Sequence, residues 1–282
     1  MPHLQIHTHQ IAYEKFSDGE HAFFFIHGWS SSPFFWKPTL PFFAGLGSCF
    51  TIALPGHYPS RFPENLSQFT QNDLLEIVSD AIRILGNEKK VTLIGHSAGG
   101  LVALGIAGLK PELVSRVIAI CPASHGPIQS GGLYPLKLAM NFGFSPIMNT
   151  IHRGLFFVPR SMDLFFSMAV HDKPKFFGDS KNQEFLEEYK EVFKNLDPNV
   201  MWIYLDLLDK CDIRPIAREV KAPTFFVLGD HDEMVPRTHG VRLSKIVPNS
   251  DFVVLDCGHL PTLELPEITT SHILNWLKLH PV

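Results

Sequence analysis

No charge of one sign dominates this chain: 24 Lys and Arg stand against 28 Asp and Glu in 282 residues, a formal net charge of −4. The basic residues form no stripe, which argues against nucleic acid as the main partner. No run reaches the ~18 apolar residues of a membrane span. The opening MPHLQIHTHQ also lacks a charged stretch followed by an apolar one, so a soluble, cytoplasmic protein without an integral membrane segment is expected. Cysteine is sparse: Cys49, Cys121, Cys211 and Cys257 lie far apart and form no C-x-x-C pair. A zinc cluster and a disulfide framework are thereby disfavoured, and buried free thiols are expected. What is plentiful is apolar: 45% of residues are hydrophobic, enough for one large core.

The stretch around which the chain is organised is Lys90 to Gly100, KVTLIGHSAGG. An apolar run, Val91 to Ile94, leads into Gly95-His96-Ser97-Ala98-Gly99, and Leu101 to Ala107 continues as an apolar helix. Strand, sharp turn and helix put Ser97 at the apex, where the crowded backbone needs small neighbours two residues away on either side; Gly95 and Gly99 meet that need. Upstream, Leu4 to Thr8 and Ile11 to Phe16 alternate like a hairpin at a sheet edge. His3, His7 and His9 fall on one face of its first strand; no carboxylate follows at metal-ligand spacing, so they read as solvent-facing rather than as ligands. Ala22 to Ile26 is apolar on both faces, as a central strand covered by helices should be, and ends in His27-Gly28-Trp29. A short helix is expected near Trp36 to Phe43, and strands at Phe50 to Leu54 and Val117 to Cys121. Thr70 to Gly86 has the clearest helical period, with Thr70 as N-cap and Asp73 three residues on. The alternation of strand and helix points to a parallel sheet.

From Ser124 to about Asp212 the alternation stops, and helices are expected near residues 136–142, 161–170, 183–196 and 199–208. The segment is too long for a plain loop. It divides the chain into a core, residues 1–123 and 213–282, and a helical insertion, residues 124–212. The helix at 183–196 reads as an ordinary solvated amphipathic helix. Leu133 to Val170 is rich in Phe and Met and low in charge, so part of it packs the insertion down and part can line an apolar pocket; Phe156 and Phe165, with Val235 from the core, are the candidates. Alternation returns with Thr224 to Gly229, Asp230 to Pro236, the strand Phe252 to Leu255 and Asp256-Cys257-Gly258-His259.

A neutral serine needs a base to take its proton and a third group to orient that base. Here a serine follows one strand, acids follow a later one, and Gly-His follows the last. That order, Ser, Asp, His, belongs to one particular fold. With His27-Gly28-Trp29, Gly95 to Gly99, Gly229-x-x-Asp232-x-x-Val235-Pro236, and Gly258-His259 followed by Leu263-Glu264-x-Pro266, the sequence resembles the α/β-hydrolase-fold enzymes that carry a helical cap. The resemblance covers nearly the whole chain. It departs at Ala53-Leu54-Pro55-Gly56-His57-Tyr58-Pro59-Ser60, where relatives often have an aspartate before the turn and Gly-x-Ser after it.

The resemblance implies Ser97 as nucleophile, His259 as base and then acid, and Asp232 as the orienting carboxylate, its spacing from Gly229 selecting it over Asp230. It implies an oxyanion hole from the backbone N–H groups of Trp29 and Ala98, structural roles for His27 and His96, and neither cofactor nor metal. A serine in place of an aspartate disfavours dehalogenase and epoxide hydrolase chemistry. The expected activity is hydrolysis of a small to medium hydrophobic carboxylic ester or lactone through an acyl-enzyme. Thioester or C–C bond hydrolysis, lyase or perhydrolase chemistry with the same serine, and a ligand receptor with little turnover remain alternatives.

Overall fold

The computed structural model describes residues 1–282 except 64, 65, 67, 129–133 and 142–160. Eight strands form one sheet: β1 (His3–Ile6), β2 (His9–Lys15), β3 (Ala22–Ile26), β4 (Ser48–Ile52), β5 (Val91–His96), β6 (Val114–Ile120), β7 (Thr224–Gly229) and β8 (Ser250–Leu255). Their order is β1-β2-β4-β3-β5-β6-β7-β8. From β3 onward every pairing is parallel, while β1 and β2 join antiparallel at one edge. After β3 the chain steps outward to β4, then returns across β3 to lay down β5 on its other side. The loops leaving β3 and β5 therefore diverge and open a crevice at their carboxyl ends, where open α/β sheets place ligands. Ile26 and Gly95 are register partners, so the two loops start side by side.

Alternate residues of the central strands sort into two cores. Phe24, Ile26, Leu93, Val117, Ala119 and Phe226 face the helices α1 (Gln71–Leu85) and α2 (Ala98–Leu109). Phe23, Phe25, Ile94, Ile118, Phe225 and Val227 face the other layer. That period of two, apolar on both sides, is the signature of a sheet covered twice. The capping box of α1 forms as expected: Asp73 N–H donates to Thr70 Oγ1 at 3.2 Å and Thr70 N–H to Asp73 Oδ2 at 2.8 Å, a cap worth about 1 kcal/mol. Helix α2 is buried from Ala98 to Ala107, because it runs beneath the sheet with no face left for water.

The N-terminal histidines do not share a face. The chain turns at His7, whose φ is 49°, so His9 opens β2 and is buried against the rings of Phe62 and Phe69, contrary to the expected solvent-facing position. Two 3-10 turns, Pro33–Trp36 and Leu40–Phe42, replace the expected helix near Trp36 to Phe43; Pro38 and Pro41 lack the N–H groups that a continuous helix would need.

Between β6 and β7 run α3 (Tyr134–Asn141), α4 (Ser161–Ser167), α5 (Lys173–Gly178), α6 (Ser180–Lys194), α7 (Pro198–Lys210) and α8 (Arg214–Ala217). Asp172, Asp179 and Asp197 cap three of them through side-chain bonds to first-turn N–H groups. The segment leaves and re-enters the core at one place: His125 bridges Asp212, Ile213 N–H donates to Ser124 O, and Gly126 N–H to Cys211 O. Helix α6 is more than a solvated helix. Phe185, Leu186, Tyr189, Val192 and Phe193 are buried, and Tyr189 Oη donates to Ser31 Oγ at 3.2 Å. Tyr204 Oη donates to Pro55 O at 2.9 Å and Trp29 Nε1 to Met201 O at 2.8 Å, which ties α7 to the loops after β4 and β3. The chain ends in the short α10 (Pro261–Glu264) and α11 (Pro266–Leu279), after α9 (Thr238–Ser244) between β7 and β8.

Candidate active site

Ser97 sits between β5 and α2 with φ 55° and ψ −117°, a conformation that costs a non-glycine residue about 1–3 kcal/mol. It is held there by backbone contact. A Cβ on Gly95 would fall 2.1 Å from Gly99 O, and one on Gly99 would fall 2.1 Å from Ile26 O. Neither position accepts any side chain, so the glycines are what let the chain turn sharply enough. Ser97 N–H donates to Ile120 O at 2.9 Å and Ser97 O accepts from Ala123 N–H at 3.1 Å, pinning the turn to the end of β6. Ala98, as the first residue of α2, has a backbone N–H without an intrahelical acceptor.

Ser97 and His259 line one cavity of about 320 Å³. His259 follows β8, and its Nδ1 donates to Asp232 Oδ2 at 2.7 Å. Both side chains are almost wholly buried. A neutral imidazole has one ring proton; with that proton held by Asp232 at Nδ1, Nε2 is left as an acceptor. Asp232 in turn is fixed by the N–H groups of Met234 (2.9 Å) and Val235 (2.8 Å), which donate to Oδ1. Asp230, the competing acid, points elsewhere and pairs with Arg237.

Of the other expected residues, Trp29, Phe165 and Val235 line the same cavity. Phe156 lies outside the described residues. The two motif histidines bind backbone. His27 Nδ1 donates to Gly28 O at 2.8 Å while its Nε2 accepts from Leu54 N–H at 3.0 Å; burial holds its pKa well below the usual imidazole range. His96 Nε2 donates to His259 O at 2.8 Å, and burial, with His259 nearby, lowers its pKa to about 3. Both act as neutral struts.

Three further groups support the pair. The Cys121 thiol lies beside the pair, its Sγ within 4.8 Å of ligand atoms of Asp232 and His259. Burial, then the Asp232 carboxylate, push that thiol well above its usual range, so it stays protonated and uncharged next to the acid. Glu264 accepts from Gly258 N–H (2.9 Å) and His171 N–H (2.8 Å), and burial raises its pKa. Ala169 O accepts from His259 N–H at 2.6 Å. The loop carrying His259 is thus braced by the turn after α4. The Leu263-Glu264-x-Pro266 motif was the visible trace of the Glu264 bond; an alanine carbonyl leaves none. All four cysteines are free and buried.

Among the described residues, two groups bring three metal-type donors together: Cys121, Asp232 and His259, and at the surface His171, His231 and Asp256. In the first, Asp232 and His259 already share a proton. In the second, the imidazole rings stack at 3.7 Å and His231 Nε2 bonds Asp256 Oδ1 at 2.9 Å.

A strained serine at the end of a central parallel strand, opening on a cavity with a carboxylate-backed histidine, places the molecule in the α/β-hydrolase fold class. The sequence model of the alpha/beta hydrolase family matches residues 23–270, and the chain belongs to that family. It is 25% identical over 279 residues to the uncharacterized hydrolase YugF of Bacillus subtilis, covering 95% of this chain and 94% of that one. It is 27% identical over 252 residues to the pimeloyl-[acyl-carrier protein] methyl ester esterase of Aromatoleum aromaticum, covering 86% and 92%. Among solved structures, a thermophilic esterase from Thermogutta terrifontis superposes with a TM-score of 0.77 over the whole of both chains at 19% identity. No helix among the described residues is long and apolar enough to cross a membrane.

Proposed function

We propose that the protein is a serine hydrolase that cleaves a small to medium hydrophobic carboxylic ester or lactone through an acyl-enzyme. The observation that carries this reading is the His259 to Asp232 pair, with Nε2 left as acceptor in the cavity that Ser97 also lines. Ser97 Oγ attacks the carbonyl carbon while His259 Nε2 takes its proton. Asp232, buried against the ring, stabilises the imidazolium that forms. The carbonyl oxygen, now negative, is received by the N–H groups of Ala98 and Trp29, each donor worth about 3 kcal/mol in the transition state. His259 returns the proton to the departing alkoxide, and water repeats the cycle on the acyl-enzyme. Residues 124–212 serve as a cap: Phe165, Phe166 and Met168 give the cavity an apolar wall, suited to an acyl chain. The methyl ester esterase among the relatives favours an oxygen ester over the thioester and C–C alternatives.

The test is turnover of p-nitrophenyl butyrate. Ser97→Ala and His259→Ala should each lower kcat by about 10⁴-fold or more; near-normal turnover by Ser97→Ala contradicts the assignment.

A further inference from the structure

Part of the cavity lining is apolar and part is not. Ser124 and His125, just past β6, meet His239 and Arg242 from α9, and all four line the cavity. His239 and Arg242 are three residues apart, so they share a face of that helix. Ser124 Oγ lies 2.7 Å from His125 Nδ1 and 2.9 Å from His239 Nδ1, and the two imidazoles stack at 4.6 Å. Burial, then the His125 ring and the Arg242 cation, lower the His239 pKa to about 4; burial, with Arg214 close by, also lowers that of His125. Both rings are therefore neutral near pH 7 and supply hydrogen bonds rather than charge.

The charge comes from Arg242, a fixed cation with a planar fork of donors. Among the described residues of the lining it is the one charged side chain, with no Asp, Glu or Lys beside it. Among the described residues, Arg237 pairs with Asp230, Arg214 with Asp212 and Lys137 with Asp209. Among the described residues, no carboxylate reaches Arg242 within ion-pair distance. Residues 113–162, which follow from β6 into the helical segment, contain no Asp or Glu either, so that stretch has no acid with which to neutralise it. A guanidinium without an ion-pair partner among the described residues, in a lining whose other described side chains include no Asp, Glu or Lys, matches a carboxylate in both charge and geometry.

We propose that the cavity takes esters whose far end carries a carboxylate, with Arg242 binding that carboxylate and the Ser124–His239 pair adding one hydrogen bond. The inference rests on the ester-hydrolase reading for its catalytic half only; the anion subsite stands on its own contacts. Apolar chain then lies along Phe165, Phe166 and Met168, the scissile carbonyl at Ser97, and the anion at α9. A purely hydrophobic ester of equal length leaves Arg242 without its partner.

The experiment compares mono-p-nitrophenyl glutarate with p-nitrophenyl valerate, and measures glutarate binding by calorimetry. Wild type should favour the carboxylate ester in kcat/KM. In Arg242→Gln that preference should fall by about ten- to a hundredfold, the scale of a hydrogen-bonded charge contact, mainly through KM, with Arg242→Lys between the two. Glutarate affinity should fall in parallel. A preference in Arg242→Gln equal to that of wild type, or glutarate binding that ignores the substitution, overturns the proposal. Should wild type hydrolyse neither ester yet bind glutarate in an Arg242-dependent way, the hydrolase reading fails while the anion subsite stands.

Discussion

At the elbow backbone presses on backbone: the missing Cβ atoms of Gly95 and Gly99 would each lie 2.1 Å from a carbonyl oxygen. In the helices between β6 and β7 side chain presses on side chain. Phe166, for example, packs among Phe176, Phe185 and Tyr189. Backbone cannot be exchanged for something of similar volume, so the elbow admits one residue type per position. An aromatic cluster can be refilled by other apolar residues, provided volume is kept. The elbow therefore sets the chemistry with few degrees of freedom, while the helical segment can change the shape of the cavity without disturbing that chemistry. The helical segment also braces the His259 loop at Ala169, whose carbonyl receives His259 N–H.

The sharpest division lies among the acids of one loop, two residues apart. Asp232 holds the His259 ring from a buried position; Asp230 pairs with Arg237 outside. Asp232→Asn should lower kcat by about 10⁴-fold, because an amide cannot keep the imidazole in the required tautomer or stabilise its charged form. Asp230→Asn should change it by about twofold or less, as surface substitutions do. A larger loss in Asp230→Asn would mean that the loop, not the buried carboxylate, matters. The contrast between the two regions is read next in stability. Gly99→Ala forces an atom into Ile26 O and should cost about 3 kcal/mol or more, with little room for relief. Phe185→Leu in the aromatic cluster should cost about 1–2 kcal/mol. Urea unfolding midpoints of the two variants decide it; equal losses would show that the helical segment is as exacting as the elbow.

The same contrast explains what could be read from the residues alone. Ser97, Asp232 and His259 stand at strand ends with glycines that nothing else could replace, and the structure brings all three to one place. Helix α1 was legible through Thr70, Asp73 and its apolar period, because those signals are local. His9 departs from the face its sequence position suggests because a turn at His7 moves it to the next strand, and a one-residue difference in where a hairpin turns reverses the face of everything after it. The amphipathic pattern of α6 reported that one face is buried but not against what, so the bond from Tyr189 to Ser31 had no local sign. Cys121 and Ala169 meet Asp232 and His259 roughly 90 to 140 positions away along the chain, a distance at which single-sequence patterns carry no information.

The central claim is that Ser97 is activated by its surroundings rather than merely located in a turn. Treatment of the folded protein with a fluorophosphonate, followed by peptide mass mapping, tests it most directly. The account predicts one label per chain, on the peptide containing Ser97, and none in Ser97→Ala. A folded wild-type protein that takes up no label, or takes it up at another residue, would contradict it.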